Sequence, residues 1–122
     1  MLYLKRKVDD FLTRWKADPD RKPLIVKGPR QVGKTESIKR FGAMNFQSVI
    51  TVNFVEEPKY KMITADGYSA EAIVKNISRI DPSKRFIEGE TLLFFDEIQE
   101  FPDIATALKF FKIDGRYDVI CS

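Results

Sequence analysis

The chain has 122 residues, of which 43% are hydrophobic and 32% are charged, and its formal net charge is +3. This length fits one domain, and these proportions indicate a soluble globular protein rather than a disordered or membrane-embedded one. The charge is uneven, because residues 1–40 hold twelve Lys and Arg against five Asp and Glu, whereas residues 41–122 hold nine against thirteen. A basic first third favours an anionic ligand, either a nucleotide or, along the N-terminal basic runs, a nucleic acid.

Neither a membrane span nor an export signal is predicted. No stretch approaches the 18 apolar residues of a spanning helix, and the N-terminal MLYLKRKVDD lacks the apolar segment of a signal peptide. The expected location is therefore the cytoplasm, with no membrane partner. The single cysteine, Cys121, agrees with a reducing compartment, although a reactive thiol is the alternative. Because the chain has no histidine and only one cysteine, a zinc site of the usual His and Cys type cannot form.

The first predicted element is an amphipathic helix that ends before Pro19. Its apolar side chains recur with helical spacing: Val8, Phe11, Leu12 and Trp15. A polar turn then leads into a short predicted strand at residues 24–27. We therefore divide the chain into an N-terminal helical segment, residues 1–21, and a core, residues 22–122.

A glycine-rich motif follows this strand. Residues 28–35 read GPRQVGKT and fit the pattern G-x-x-x-x-G-K-[ST], and a predicted helix from Lys34 to about Gly42 comes directly after it. Strand, glycine loop and helix together form the phosphate-loop (Walker A) motif, in which backbone N–H groups and a helix N-terminus surround phosphates. The predicted nucleotide-binding residues are Gly28, Pro29, Arg30, Gln31, Val32, Gly33, Lys34, Thr35 and Glu36.

Two of these side chains have further predicted roles. Lys34 would bring a positive charge to the β and γ phosphates and is the first predicted catalytic residue. The hydroxyl of Thr35 is a predicted ligand of Mg²⁺. The motif therefore predicts a nucleoside triphosphate and Mg²⁺ as ligands.

The middle of the chain predicts one strand and one helix. Residues 47–54, QSVITVNF, are rich in β-branched residues and predict a strand, whereas residues 55–68 predict mostly loop with short helical turns. Ser69 can cap a helix that ends at Asp81-Pro82. The predicted buried stripe of this helix comprises Ile73, Ile77 and Ile80.

The last part of the chain predicts a strand, a helix and a further strand. Residues 91–96, TLLFFD, form an almost continuous apolar run, which is typical of a strand buried on both faces of a parallel sheet. A helix from Pro102 to Gly115 and a strand at residues 117–121 follow. The predicted buried side chains of that helix are Ile104, Leu108 and Phe111. This alternation predicts an α/β fold: a P-loop NTPase three-layer sandwich with a mainly parallel sheet, truncated after the fourth strand.

Two carboxylates end the strand at residues 91–96. Four apolar residues followed by Asp96 and Glu97 fit the Walker B pattern. Asp96 is predicted to hold Mg²⁺ opposite Thr35. Glu97 is the second predicted catalytic residue, because it can orient or deprotonate the water that attacks the γ-phosphate. Gln99 is either a second group that positions this water or an ordinary loop residue.

The chain resembles the prokaryotic AAA+ ATPases, archaeal and bacterial, in three segments: YLKRKVDDFLTRWK, RKPLIVKGPRQVGKT and GETLLFFDEIQEFPDIATALKFF. The resemblance implies an ATP-binding and ATP-hydrolysing AAA+ core in which Lys34 and Thr35 serve phosphate and metal, with Asp96 on the metal and Glu97 on the water. Members of this family usually continue into a polar sensor residue, a fifth strand, a helical lid and a C-terminal domain, so the core is expected to be incomplete at its C-terminus. The partners that the resemblance leaves open are a homo-oligomer and a C-terminal domain in the full-length protein.

The leading functional prediction is an ATPase core that couples nucleotide state to a conformational change in an attached module. The alternatives are a nucleotide-binding fragment without appreciable hydrolysis and a nucleic-acid-associated ATPase. A GTPase or small-molecule kinase fits less well, because the sequence has no N-K-x-D motif and a glutamate follows Asp96. Arg116 is a candidate arginine finger toward a neighbouring subunit.

Overall fold

Parallel strands and the helices that connect them form the structure, a computed structural model that describes residues 7–27 and 33–122. In chain order the elements are α1 (Lys7–Ala17), β1 (Leu24–Ile25), α2 (Lys34–Asn45), β2 (Ser48–Asn53), α3 (Ala70–Ile80), β3 (Thr91–Asp96), α4 (Asp103–Asp114) and β4 (Asp118–Cys121). Two 3₁₀ turns, Pro58–Met62 and Ile98–Glu100, lie between them. Each predicted helix and strand therefore has a counterpart, and the predicted helical turn within residues 55–68 is present.

The four strands form one sheet in the order β1-β4-β3-β2, and every neighbouring pair is parallel. The predicted α/β architecture with a parallel sheet is confirmed. The strand before the glycine motif, β1, and the strand before the two carboxylates, β3, are not neighbours, because β4 lies between them. Since all the strands run in the same direction, their carboxyl ends meet at one edge of the sheet, where ligands of such sheets bind.

Strand β3 is buried along its whole length and faces two apolar clusters. Leu92 and Phe94 belong to a cluster that α1 and α2 cover. Leu93 and Phe95 belong to a larger cluster that α3 and α4 cover. Because helices lie on both faces of the sheet, both sets of side chains along β3 must be apolar. The helices on both faces of the sheet thus account for the continuous apolar run of β3 and for the three layers that we predicted.

The helix α3 follows its prediction closely. The hydroxyl oxygen of Ser69 accepts a hydrogen bond from the Ala72 N–H at 3.1 Å, which caps the first turn. Ile73 and Ile77 are fully buried, and Ile80 packs partly buried at the end of the same stripe. Among the described residues, none of the helices combines the length and the apolar character that crossing a bilayer requires.

Arg21 attaches the segment between α1 and β1 to the sheet. Its guanidinium donates to both carboxylate oxygens of Asp118, at 2.7 and 2.8 Å, and to the carbonyls of Lys16 and Asp18, each at 3.2 Å. The hydrogen bond to Asp118 raises the pKa of Arg21. A planar fork of donors can make this pattern, which a lysine cannot reproduce. The division of the chain at residues 21 and 22 stays a prediction.

Strand β1 is shorter than predicted. Of the residues predicted for this strand, only Leu24 and Ile25 pair with β4. The N–H of Val26 then donates to the carbonyl of Cys121 at 2.8 Å. The pairing stops there because β4 itself ends at Cys121. Burial raises the pKa of the Cys121 thiol to about 12. The reactive thiolate is therefore scarce at neutral pH, which argues against the reactive-thiol alternative.

The predicted end of α2 at Gly42 is wrong, because the helix continues to Asn45 and Phe46 is its C-cap. Gly42 is buried where α2 crosses the sheet. A Cβ at this position would lie 2.8 Å from Val49 Cγ2 and 2.9 Å from Leu92 Cδ2. The glycine therefore permits close packing of helix on sheet, and it does not end the helix.

We predict that Gly42→Ala lowers the free energy of unfolding by about 1–3 kcal/mol, as expected for overpacking of a core. Alanine normally stabilises a helix relative to glycine, so the sign of the change separates close packing from helix propensity. Urea denaturation measures the effect. Val49→Ala in the Gly42→Ala background should recover part of the loss, whereas a Gly42→Ala protein more stable than the wild type would contradict this account.

Candidate functional site

The described part of the glycine motif forms the start of α2. Gly33 is the N-cap residue, with φ 98° and ψ −4°, a left-handed conformation that glycine adopts without steric cost. The Ser37 N–H donates to the Gly33 carbonyl at 2.8 Å, which closes the first helical turn. The N–H groups of the residues before Ser37 in this turn have no acceptor within the helix and carry the positive end of its dipole. The start of α2 can therefore bind an anion.

The predicted nucleotide-binding residues fall into two groups. Gly33, Lys34, Thr35 and Glu36 lie at the N-terminus of α2, and the side chains of Lys34 and Thr35 are half-buried. Gly28, Pro29, Arg30, Gln31 and Val32 lie outside the described residues, and their predicted role stays a prediction.

A direct contact joins the two predicted motifs. The Thr35 hydroxyl donates to Asp96 Oδ2 at 3.1 Å, although the two residues are 61 positions apart. Asp96 is only 4% exposed, and its Oδ1 accepts a hydrogen bond from the Glu97 N–H at 2.9 Å. The carboxylate is thus held in one orientation at the carboxyl edge of the sheet, beside the start of α2.

Asn53, which the sequence analysis did not single out, also contacts this carboxylate. It ends β2 directly opposite Asp96 in the register, and its Nδ2 lies 3.5 Å from Asp96 Oδ2. The Asn53 Oδ1 accepts from the N–H groups of Val55 and Glu56, each at 2.9 Å, so the amide orientation is fixed. The sequence did carry a signal for Asn53: it is a polar residue near the end of a predicted strand, as Asp96 is.

Glu97 has an unusual backbone. Its φ of 61° and ψ of 47° are left-handed, and it is the one described residue other than glycine with a positive φ. Such a conformation costs about 1–2 kcal/mol in an L-residue and often marks a functional position. The Nε2 of Gln99 donates to Glu97 Oε2. The residue after Asp96 is therefore turned sharply away from the path of β3.

The residues present fit a magnesium ion better than a transition metal. A hydroxyl and a carboxylate are hard oxygen ligands, and here they already lie within hydrogen-bonding distance. Among residues 7–27 and 33–122, no group of three or more His, Cys, Asp or Glu side chains could hold a metal ion. Mg²⁺ commonly binds through one or two protein ligands together with substrate phosphates, so this small ligand set suits it.

Arg116 lies away from this site. It precedes β4, at the amino edge of the sheet, and its guanidinium pairs with Asp114 at 2.9 Å and lies 3.8 Å from Glu88. The hydrogen bond to Asp114 raises the pKa of Arg116. Arg116 therefore cannot act on a nucleotide bound to its own chain, and a role toward a neighbouring subunit stays a prediction.

The chain matches the model of a known protein family. No curated protein matches the chain significantly. The family model described as an AAA domain matches residues 20–122, which is most of the chain and includes both motifs. This match agrees with the parallel sheet and with the meeting of Thr35 and Asp96 at its carboxyl edge. The chain therefore belongs to the AAA domain family of P-loop ATPases.

Proposed function

We propose that this chain binds ATP with Mg²⁺, hydrolyses it, and couples the nucleotide state to a conformational change in an attached module. Membership of the AAA domain family supports a nucleotide-binding, ATPase-like function. The observation that carries the finer proposal is the 3.1 Å hydrogen bond from Thr35 to Asp96. It joins the helix that would bind phosphate to the carboxylate that would bind metal.

The nucleotide phosphates would lie at the N-terminus of α2. Backbone N–H groups of residue 28 and of residues 30–36 would contact the phosphate oxygens, and Lys34 would neutralise charge on the β and γ phosphates. Thr35 and Asp96 would hold the magnesium ion through the oxygen atoms that now share a hydrogen bond. When bound, Mg²⁺ would neutralise charge on the phosphate oxygens.

Glu97 would act on the attacking water. Its carboxylate can accept a hydrogen bond or a proton from water as the water oxygen attacks the γ-phosphorus and the bond to the β-phosphate oxygen breaks. Two features of Glu97 support this role. It lies directly after Asp96, and its left-handed backbone turns the chain, so its side chain leaves in a different direction from that of Asp96.

Strand β4 offers a route for coupling. The Ser122 N–H donates to the Phe95 carbonyl at 2.9 Å, and the Ser122 carbonyl accepts from the Ile98 N–H at 3.0 Å. Ser122, the residue after β4, is thus hydrogen-bonded both to the residue before Asp96 and to the residue after Glu97. A change in the position of these carboxylates on hydrolysis would move the end of β4, and any module that follows it.

The remaining assignments are part of the same proposal. We place an N-terminal helical segment at residues 1–21 and the ATPase core at residues 22–122, in a cytoplasmic protein whose partners are a C-terminal domain and further copies of itself. A nucleotide-binding chain without appreciable hydrolysis is the alternative. The first prediction below tests nucleotide binding, which both functions share, and the second separates the ATPase from this alternative.

We predict that ATP with Mg²⁺ stabilises the wild-type chain and that Lys34→Ala abolishes this effect. Ligand at one hundred times its Kd adds about 2.7 kcal/mol to the free energy of unfolding, which is a readily measured shift in Tm. Lys39→Ala is the matched control, because Lys39 lies on the same helix but is exposed. The binding proposal is wrong if no nucleotide shifts the Tm of the wild type.

We predict that Glu97→Gln retains ATP binding but lowers kcat by about 10²–10⁴-fold, the usual contribution of a general base. Phosphate release gives kcat, and thermal shift gives binding. Glu100→Gln removes the same charge from the exposed side of the same turn and should leave kcat unchanged. Normal hydrolysis by Glu97→Gln would remove this residue from the mechanism, and binding without hydrolysis by the wild type would favour the alternative function.

A further inference from the structure

We propose that Gln99 is a positioning residue that holds the Glu97 carboxylate in the orientation needed to act on water. This inference rests on the proposed ATPase function and extends it to a residue outside the two motifs. The geometry that carries it is the hydrogen bond from Gln99 Nε2 to Glu97 Oε2, across a turn whose backbone is itself hydrogen-bonded.

The left-handed conformation of Glu97 brings the two side chains together. In an extended strand, residues i and i+2 point to the same face and their Cβ atoms stay apart. At Glu97 the strand ends in a left-handed residue followed by a 3₁₀ turn, and the chain folds back on itself. The amide of Gln99 then reaches the carboxylate of Glu97 directly.

Four contacts fix the turn that carries Gln99. The Ile98 N–H donates to the Ser122 carbonyl at 3.0 Å, and the Glu100 N–H donates to the Glu97 carbonyl at 3.1 Å. The Phe101 N–H donates to the Ile98 carbonyl at 2.9 Å, and the buried Phe101 ring lies 5.0 Å from the ring of Phe54. Because the backbone is already ordered on both sides of Gln99, only its side-chain rotamer freedom is lost when it binds Glu97.

A neutral amide suits this role. Its N–H donates to an ionised carboxylate and leaves the negative charge in place, whereas a lysine would neutralise the charge and a glutamate would repel it. The amide oxygen of Gln99 remains an acceptor, so it can receive a second hydrogen bond from the water that Glu97 contacts. Gln99 therefore limits the rotamers of the residue that acts on water.

We predict that Gln99→Ala lowers kcat by about 10-fold to 100-fold, the scale of a catalytic group displaced by roughly 1 Å, with KM and Kd for ATP unchanged. Gln99→Glu keeps the size of the side chain but repels Glu97, so it should lose at least as much activity. Gln47→Ala is the matched control, because Gln47 is an exposed glutamine that directly precedes β2, at the opposite end of that strand from Asn53 and the candidate site. The split between kcat and KM distinguishes positioning from a general loss of structure.

A double-mutant cycle tests whether Gln99 acts through Glu97. In the Glu97→Gln background, Gln99→Ala should cause little further loss of kcat, because the group that it positions is already gone. Equal losses in the two backgrounds would overturn the proposal. A kcat for Gln99→Ala at or above that of the wild type would also overturn it, and an increase would mean that Gln99 restrains Glu97.

A readout without turnover separates this inference from the proposed function. The side-chain amide signals of Gln99, assigned by their loss in Gln99→Ala, should shift in a ¹H–¹⁵N spectrum of Glu97→Ala but not of Glu100→Ala. If these signals do not respond to Glu97, the contact is absent and the inference is wrong. If they respond but the wild type binds ATP without hydrolysing it, the contact stands, and the ATPase proposal fails together with the positioning role.

Discussion

The hydrogen bond between Thr35 and Asp96 is the contact that assembles the candidate site from two distant parts of the chain. It joins the first turn of α2 to the end of β3, although β1 and β3 are separated by β4. The contact requires that both strands end at the same edge of the sheet, which parallel pairing ensures. It also requires α2 to pack closely on β2 and β3, and Gly42 permits that approach.

The surroundings of Asp96 show how the fold prepares this site. A buried carboxylate is costly unless it is hydrogen-bonded, and here the donors are Thr35, Asn53 and the N–H of Glu97. Each donor comes from a different part of the chain, so the orientation of Asp96 depends on α2, β2 and β3 together. A metal that binds Asp96 and Thr35 would replace one of these hydrogen bonds and leave the other donors to hold the carboxylate.

Much of this fold could be predicted because burial and local sequence agree. The apolar run of β3 predicted a strand with two buried faces, and both faces are covered by helices. Ser69 predicted the start of α3 through the hydrogen bond that a cap makes. Gly42 was misread because glycine has two uses, at helix ends and at close packing, and only the positions of Val49 and Leu92 distinguish them.

The site could be predicted only in part, for a similar reason. Motif spacing identified the start of α2 and the pair Asp96 and Glu97, since these residue types suit phosphate, metal and water. The order of the strands, the role of Asn53 and the left-handed backbone of Glu97 depend on which strands pair and how the chain turns after β3. Those are tertiary properties that no single stretch of sequence contains.

The most direct test of the account is the effect of Mg²⁺ on ATP affinity, measured by calorimetry in the wild type and in Asp96→Asn. If Thr35 and Asp96 share one metal, Mg²⁺ should tighten ATP binding by the wild type, and Asp96→Asn should lose most of that gain while still binding nucleotide. Asp103→Asn, which changes an exposed carboxylate at the start of α4, should keep the gain. An equal effect of Mg²⁺ on the wild type and Asp96→Asn would contradict the account.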